Sequence, residues 1–283
     1  MIHQVIDLNL DYKAMNADNG GYKPKLYTYV LDNFPEINAD RVRPAVVICP
    51  GGGYEFTSDR EAEAVAIQLN ARGYQAFILR YSVAPARFPA ALLELAYCVS
   101  LVKAHAKEWH VDPDRVFISG FSAGGHLACT LGCFWNQERV WKPLGLSPEQ
   151  VRPAGMILNY PVITSNEFAH RGSFRALLGD QEEKLADSLS MEKQVSGDTV
   201  PVFLWHTYTD DAVPVENSLM FAMALREHHI PLEMHIYPYG PHGLGLANRE
   251  THNREGGNIL PHCQGWIDLA ANWIRDFDQV LKG

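Results

Sequence analysis

The sequence predicts an α/β fold with a mostly parallel central sheet, helices on both faces and a small cap insertion. Short, continuous apolar runs recur along the chain, as strands covered on both faces require. Stretches of helical period separate them, as crossover connections require. The third observation is size: 283 residues, 47% of them hydrophobic, suffice for one large core without metals or disulfides. No repeat and no Gly/Ser- or Pro-rich linker divides the chain, so residues 1–283 read as one domain.

Taken in order, residues 5–30 alternate in polarity and suit an antiparallel edge. The first buried run is 45–49, closed by Pro50 and the glycines Gly51, Gly52 and Gly53. A helical pattern over 61–72 stops at Gly73 and leads into a strand at 76–79. A long apolar-periodic segment, 89–106, precedes a strand at 115–119, a helix at 123–135 and a strand at 156–160. Residues 164–200 break the rhythm, being polar and charge-rich between two strands. Ordinary connections run to about 2–6 residues, so this segment suggests a small cap or lid, the alternative being a peripheral solvated helix. A strand at 202–206, a helix at 216–227, a strand at 232–237 and a helix at 264–277 complete the pattern.

Composition narrows the partners. With 33 acidic and 24 basic residues the formal charge is −9, and no basic patch interrupts it. Such a field repels polyphosphate and acidic membranes, so neither a nucleic acid nor a membrane is expected. Nowhere do 18 apolar residues run together, as a transmembrane helix needs. Cys49, Cys98, Cys129, Cys133 and Cys263 form no Cys-x-x-Cys pair. An odd count with no visible export signal points to free thiols and a cytoplasmic protein. His126, Cys129 and Cys133 share one predicted helix face, where small thiols are far more often core than metal ligands, so no metal is expected. The sequence leaves open whether the chain forms a homo-oligomer.

The chemistry centres on Gly120-Phe121-Ser122-Ala123-Gly124-Gly125, between a predicted strand and a predicted helix. A serine on such a turn presents its hydroxyl at the carboxyl edge of the sheet. Read without that context, Ser122 is only a helix cap. A serine hydroxyl needs a base, and the base needs an orienting carboxylate, in the chain order serine, acid, histidine. That order sets aside His105, His110, His126, His170 and His206 as the base. His242 follows the last strand in a Pro/Gly loop and is the best placed of the remaining histidines. The acid belongs after the preceding strand, where Asp210 and Asp211 stand together; the Asp-x-x-Val-Pro spacing favours Asp210. Negative charge on the attacked carbonyl oxygen needs donors, which the glycine run after residue 49 and the N–H of Ala123 can supply. A phosphate-binding loop is disfavoured because no Gly-Lys-Ser/Thr follows the glycines. Tyr54, next to those glycines, is expected to face the pocket.

With these pieces in order, the chain resembles the α/β-hydrolase superfamily over nearly its whole length. More narrowly it resembles the bacterial acetyl esterase, acetylxylan esterase and lipase-like carboxylesterase group. The resemblance rests on Pro50 to Gly53, on Gly120 to His126, on Asp210 to Pro214 and on His242-Gly243. It implies an α/β-hydrolase fold, a Ser122–His242–Asp210 triad and oxyanion donors at Gly52, Gly53 and Ala123. It also implies a serine carboxylic-ester hydrolase that needs no cofactor and acts on short acyl esters such as acetylated sugars or xylooligosaccharides. Pro50 departs from the histidine that many hormone-sensitive-lipase-like esterases carry there, which bears on subfamily and not on mechanism. A serine peptidase of the same fold and a non-catalytic binding homologue are the rival readings. The first normally carries a large gating domain for which 283 residues leave no room, and the second typically lacks a triad member.

Overall fold

The computed structural model describes residues 1–282. Eight strands form one sheet: β1 (Val5–Asp7), β2 (Lys25–Tyr29), β3 (Arg43–Cys49), β4 (Gln75–Arg80), β5 (Val111–Phe121), β6 (Met156–Asn159), β7 (Val202–Thr207) and β8 (Leu232–Tyr237). The helices are α1 (Glu63–Ala71), α2 (Ala90–Ala104), α3 (Ala123–Phe134), α4 (Glu138–Trp141), α5 (Pro148–Val151), α6 (Arg171–Leu178), α7 (Glu182–Leu185), α8 (Glu216–Glu227), α9 (Trp266–Arg275) and α10 (Phe277–Val280). The strands lie in the order β1-β2-β4-β3-β5-β6-β7-β8. The β1/β2 and β2/β4 pairs are antiparallel and every other pair is parallel. This is the α/β-hydrolase fold.

Alternation along the strands explains both layers. In β3, Val46 and Ile48 face one side while Ala45, Val47 and Cys49 face the other, as the two-residue period of a strand demands. The first side packs against Val65 and Leu69 of α1 and Trp266, Trp273 and Ile274 of α9. The second packs against Leu95 and Val99 of α2, Leu127 and Leu131 of α3, and Phe221 and Leu225 of α8. Central strands buried on both faces read as unbroken apolar runs for this reason. The edge strand β8, only half buried, carries Glu233 and His235.

Two boundaries differ instructively from expectation. β5 runs beyond its apolar stretch to Phe121, because Gly120 and Phe121 still pair with Leu158 and Asn159 of β6. The last helix stops at Arg275 and a separate single turn, α10, follows. Residues 164–200 form α6, α7 and several 3-10 turns. Phe174, Leu177 and Leu178 give α6 a buried stripe at helical spacing. The segment is stitched down at several points, with Phe88 N donating to Leu177 O and Met191 N to Ile163 O. Among the described residues no helix is long and apolar enough to cross a membrane.

Candidate active site

The site begins where β5 ends. A single residue, Ser122, joins the strand to α3, and it adopts φ 53° and ψ −119°. That left-handed backbone costs a non-glycine residue about 1–3 kcal/mol and persists only where the surroundings enforce it. Here they do: Ser122 N donates to Asn159 O at 3.1 Å, while Val162 N and His126 N donate to Ser122 O. Asn159 is itself held, its amide nitrogen donating to Gly120 O at 2.8 Å and its amide oxygen accepting from Trp205 Nε1 at 2.7 Å. Gly124 is required by space, since a Cβ there would stand 2.1 Å from Cys49 O. The start of α3 therefore lies directly against the end of β3, and the Ser122 turn abuts the glycine loop.

His242, in the loop after β8, places Nε2 2.7 Å from Ser122 Oγ. Its Nδ1 lies 2.7 Å from Asp210 Oδ2. An ionised carboxylate only accepts, so the proton sits on Nδ1 and Nε2 is free to accept from the serine hydroxyl. Asp210, in the loop after β7, also receives Val213 N at 2.8 Å and Ala212 N at 3.0 Å on Oδ1. His206 Nε2 lies 3.2 Å from Asp210 Oδ2 and 3.0 Å from Val213 O. Both are acceptors, so His206 carries its proton there, and its Nδ1 accepts from Ser218 Oγ at 2.7 Å. Burial alone would raise the Asp210 pKa, but the hydrogen bonds from His206 and His242 outweigh it and hold the carboxyl well below the usual carboxylate range. Asp211 contributes only a 3.3 Å acceptor for His242 N.

The glycine loop supplies donors. Gly51 N is committed to Glu61 Oε2 at 2.8 Å. Among the described residues no acceptor takes the N–H of Gly52 or Gly53. The N–H of Ala123 opens α3 and is one of the four that a helix leaves without an internal partner. Gly52 adopts φ 124°, and a Cβ on it would stand 2.2 Å from Phe56 O, so only glycine fits. Beneath the loop, Glu61 Oε1 accepts from Tyr160 Oη at 2.8 Å, and Tyr160 Oη accepts from Gly245 N at 2.8 Å. This relay ties the glycine loop to the loop that carries His242. A cavity of about 250 Å³ joins Ser122 and His242 to Gly52, Gly53, Phe56, Arg60 and His170.

One expectation is corrected. Tyr54 does not face the pocket: a φ of 60° turns it inward, where it is 3% exposed. Its hydroxyl donates to His126 Nδ1 at 2.9 Å, while His126 Nε2 donates to Leu189 O at 2.8 Å. Both imidazole nitrogens are thus spent on protein partners, and burial lowers the His126 pKa to about 4. Phe56, 59% exposed, takes the place at the cavity that Tyr54 was expected to fill. Sequence reasoning missed the supporting place of His206 and the position of His170 at the cavity wall, because chain order discriminates only among candidate bases. The one signal for His206 was its spacing four residues before Asp210.

The BD-FAE family profile matches residues 31–225. Endo-1,4-beta-xylanase B of Butyrivibrio fibrisolvens is 37% identical over 81% of this chain and 36% of its own length. An acetylxylan esterase of Xylanibacter ruminicola is 31% identical over 79% of this chain and 45% of its own. The chain thus spans less than half the length of these two relatives. Among solved structures, an acetyl ester-xyloside bifunctional hydrolase from Caldicellulosiruptor lactoaceticus shares 37% identity and a TM-score of 0.82, covering 97% of this chain and 96% of that one. The carboxylesterase Cest-2923 from Lactobacillus plantarum shares 27% identity and a TM-score of 0.84, covering 98% of each. With most of its length inside the matched profile and the same sheet beneath it, the chain belongs to the BD-FAE family and has the α/β-hydrolase fold.

Proposed function

We propose that the chain is a serine carboxylic-ester hydrolase acting on short-chain acyl esters, acetylated sugars and xylooligosaccharides foremost. The observation that carries this reading is the unbroken hydrogen-bonded run from Ser122 through His242 to Asp210, beside two uncommitted glycine amides. Ser122 Oγ attacks the ester carbonyl as His242 Nε2 takes its proton. Asp210 holds the imidazole in the required tautomer and stabilises the imidazolium. The N–H groups of Gly52, Gly53 and Ala123 bind the oxygen on which charge develops. His242 then returns the proton to the leaving alcohol, and water, activated by the same imidazole, releases the acyl group.

Cavity size supports a small ester, since about 250 Å³ is below the usual range for drug-sized ligands. The names of the similar proteins support an acetylated xylan or xyloside as the source of the ester. Residues 164–200 serve as a packed cap that completes the pocket wall. Five free, buried cysteines support a cytoplasmic setting, where thiols stay reduced.

Turnover of p-nitrophenyl acetate by wild type and Ser122→Ala tests the reading. A fall of about 10³-fold or more in kcat is expected for the variant. Equal rates in the two proteins would remove Ser122 from the chemistry. A panel of acetyl, butyryl and octanoyl esters beside acetylated xylooligosaccharides tests the substrate, and a preference for octanoyl would overturn the acetyl assignment.

A further inference from the structure

Among the described residues His170 is the one histidine besides His242 that borders the cavity. It stands at the N-cap of α6, and its Nδ1 lies 3.2 Å from Ser173 N. A backbone amide can only donate, so Nδ1 accepts and the proton of the neutral ring is fixed on Nε2. Ser173 Oγ, 2.8 Å from the same Nδ1, lies 4.0 Å from where a Cβ on Gly53 would stand. The cap is therefore seated beside the glycine loop. Gly172 leaves room for the ring, because a Cβ there would come within 3.3 Å of His170 Cε1. Among the described residues Nε2 meets no acceptor.

Burial, and after it the nearby His242, lower the His170 pKa. The ring thus stays a neutral donor. The titratable and charged groups acting on it are His242, Asp210, Glu55 and Arg175. A donor with fixed tautomer and no protein partner, at a wall shared with the nucleophile and the base, is spare hydrogen-bonding capacity in a site that holds an oxygen-rich substrate. The acyl oxygen is already served by three amides, and His242 returns its proton to the alcohol. The alcohol portion is what remains to be held.

We propose that His170 determines specificity by donating its Nε2–H to an oxygen of the alcohol portion of the substrate, so that esters of polyhydroxylated alcohols are preferred over plain aryl esters. This deepens the esterase reading and rests on it.

The test compares kcat/KM for a mono-O-acetylated methyl xyloside and for phenyl acetate, whose leaving group carries no further oxygen. The variants are His170→Asn and His170→Ser, both good N-caps that accept from Ser173 N but lack the reach of the imidazole. Each should lose about tenfold to a hundredfold on the acetylated xyloside, the range expected when one donor to a polar substrate group is withdrawn. Phenyl acetate hydrolysis should stay within about threefold of wild type, since an aryl ester offers nothing for the donor to hold. Equal losses on both substrates, or no loss on the xyloside, would overturn the assignment. So would a wild type that cleaves phenyl acetate and ignores the xyloside. If wild-type protein cleaves neither ester, the esterase reading itself fails, an outcome distinct from the others.

Discussion

Four donors converge on the Asp210 carboxylate, and two of them are backbone amides that no side-chain substitution removes. Asp210→Asn should therefore keep the loop folded while offering His242 an amide that disfavours the required tautomer. The expected loss is about 10³–10⁴-fold in kcat with a near-native melting temperature. Asp211→Asn should change kcat less than about threefold, because its one contact is a long bond to a backbone N–H; steady-state kinetics on the pair decides which aspartate serves the imidazole. Gly52→Ala should lower kcat by about 10²–10³-fold, since the loop must shift to clear Phe56 O and the shift misaligns a donor. At this scale the sequence was informative where chemistry imposes chain order. Ser122, Asp210 and His242 each follow a strand and could be picked from loops alone. His170 and His206 could not, because their places depend on which loops meet in space. Tyr54 was misplaced because a positive φ reverses the direction in which a side chain leaves the loop.

At the level of single elements, α3 is buried along its whole length and carries His126 into the interior beside Tyr54 and Leu189. A histidine held at about 4, against about 6.5 when unfolded, binds its proton only in the unfolded chain between those values. Its contribution is whole above pH 6.5 and is lost as pH falls toward 4, a difference of about 3 kcal/mol. His126→Gln should therefore show a flatter fall in unfolding free energy between pH 7 and 4.5 than wild type; parallel denaturant curves at the two pH values would refute this. The strands that pack both faces were readable as continuous apolar runs, because nothing polar is tolerated there. The ends of β5 and α9 were not, since pairing with β6 and a one-residue break before α10 are decided by neighbours and not by local composition. Residues 164–200 gave only their polarity to the sequence reading. The buried stripe of α6 is three side chains within a charged stretch, too short a period to stand out.

Across the whole molecule, two cores back one sheet, and the loops that bring Ser122, Asp210 and His242 together all leave its carboxyl edge. Glu61 and Tyr160 join two of those loops from beneath. Glu61→Ala strips the acceptor from Gly51 N and from the Tyr160 hydroxyl, about 1–3 kcal/mol for each buried group left unpaired. The melting temperature should drop by several degrees and kcat should fall with it, and Tyr160→Phe, which spares the Gly51 bond but leaves Gly245 N and Glu61 Oε1 unpaired, should lower both to a similar extent. Calorimetry with initial rates on the two variants separates this from a purely local effect, which would leave kcat untouched. A shared strut of this kind also means that catalytic competence has no early warning of collapse. Under rising urea, ester turnover should be lost and the emission of the buried indoles, Trp205 and Trp266 among them, should shift to the red over the same narrow interval of denaturant, with no inactive yet folded species between them.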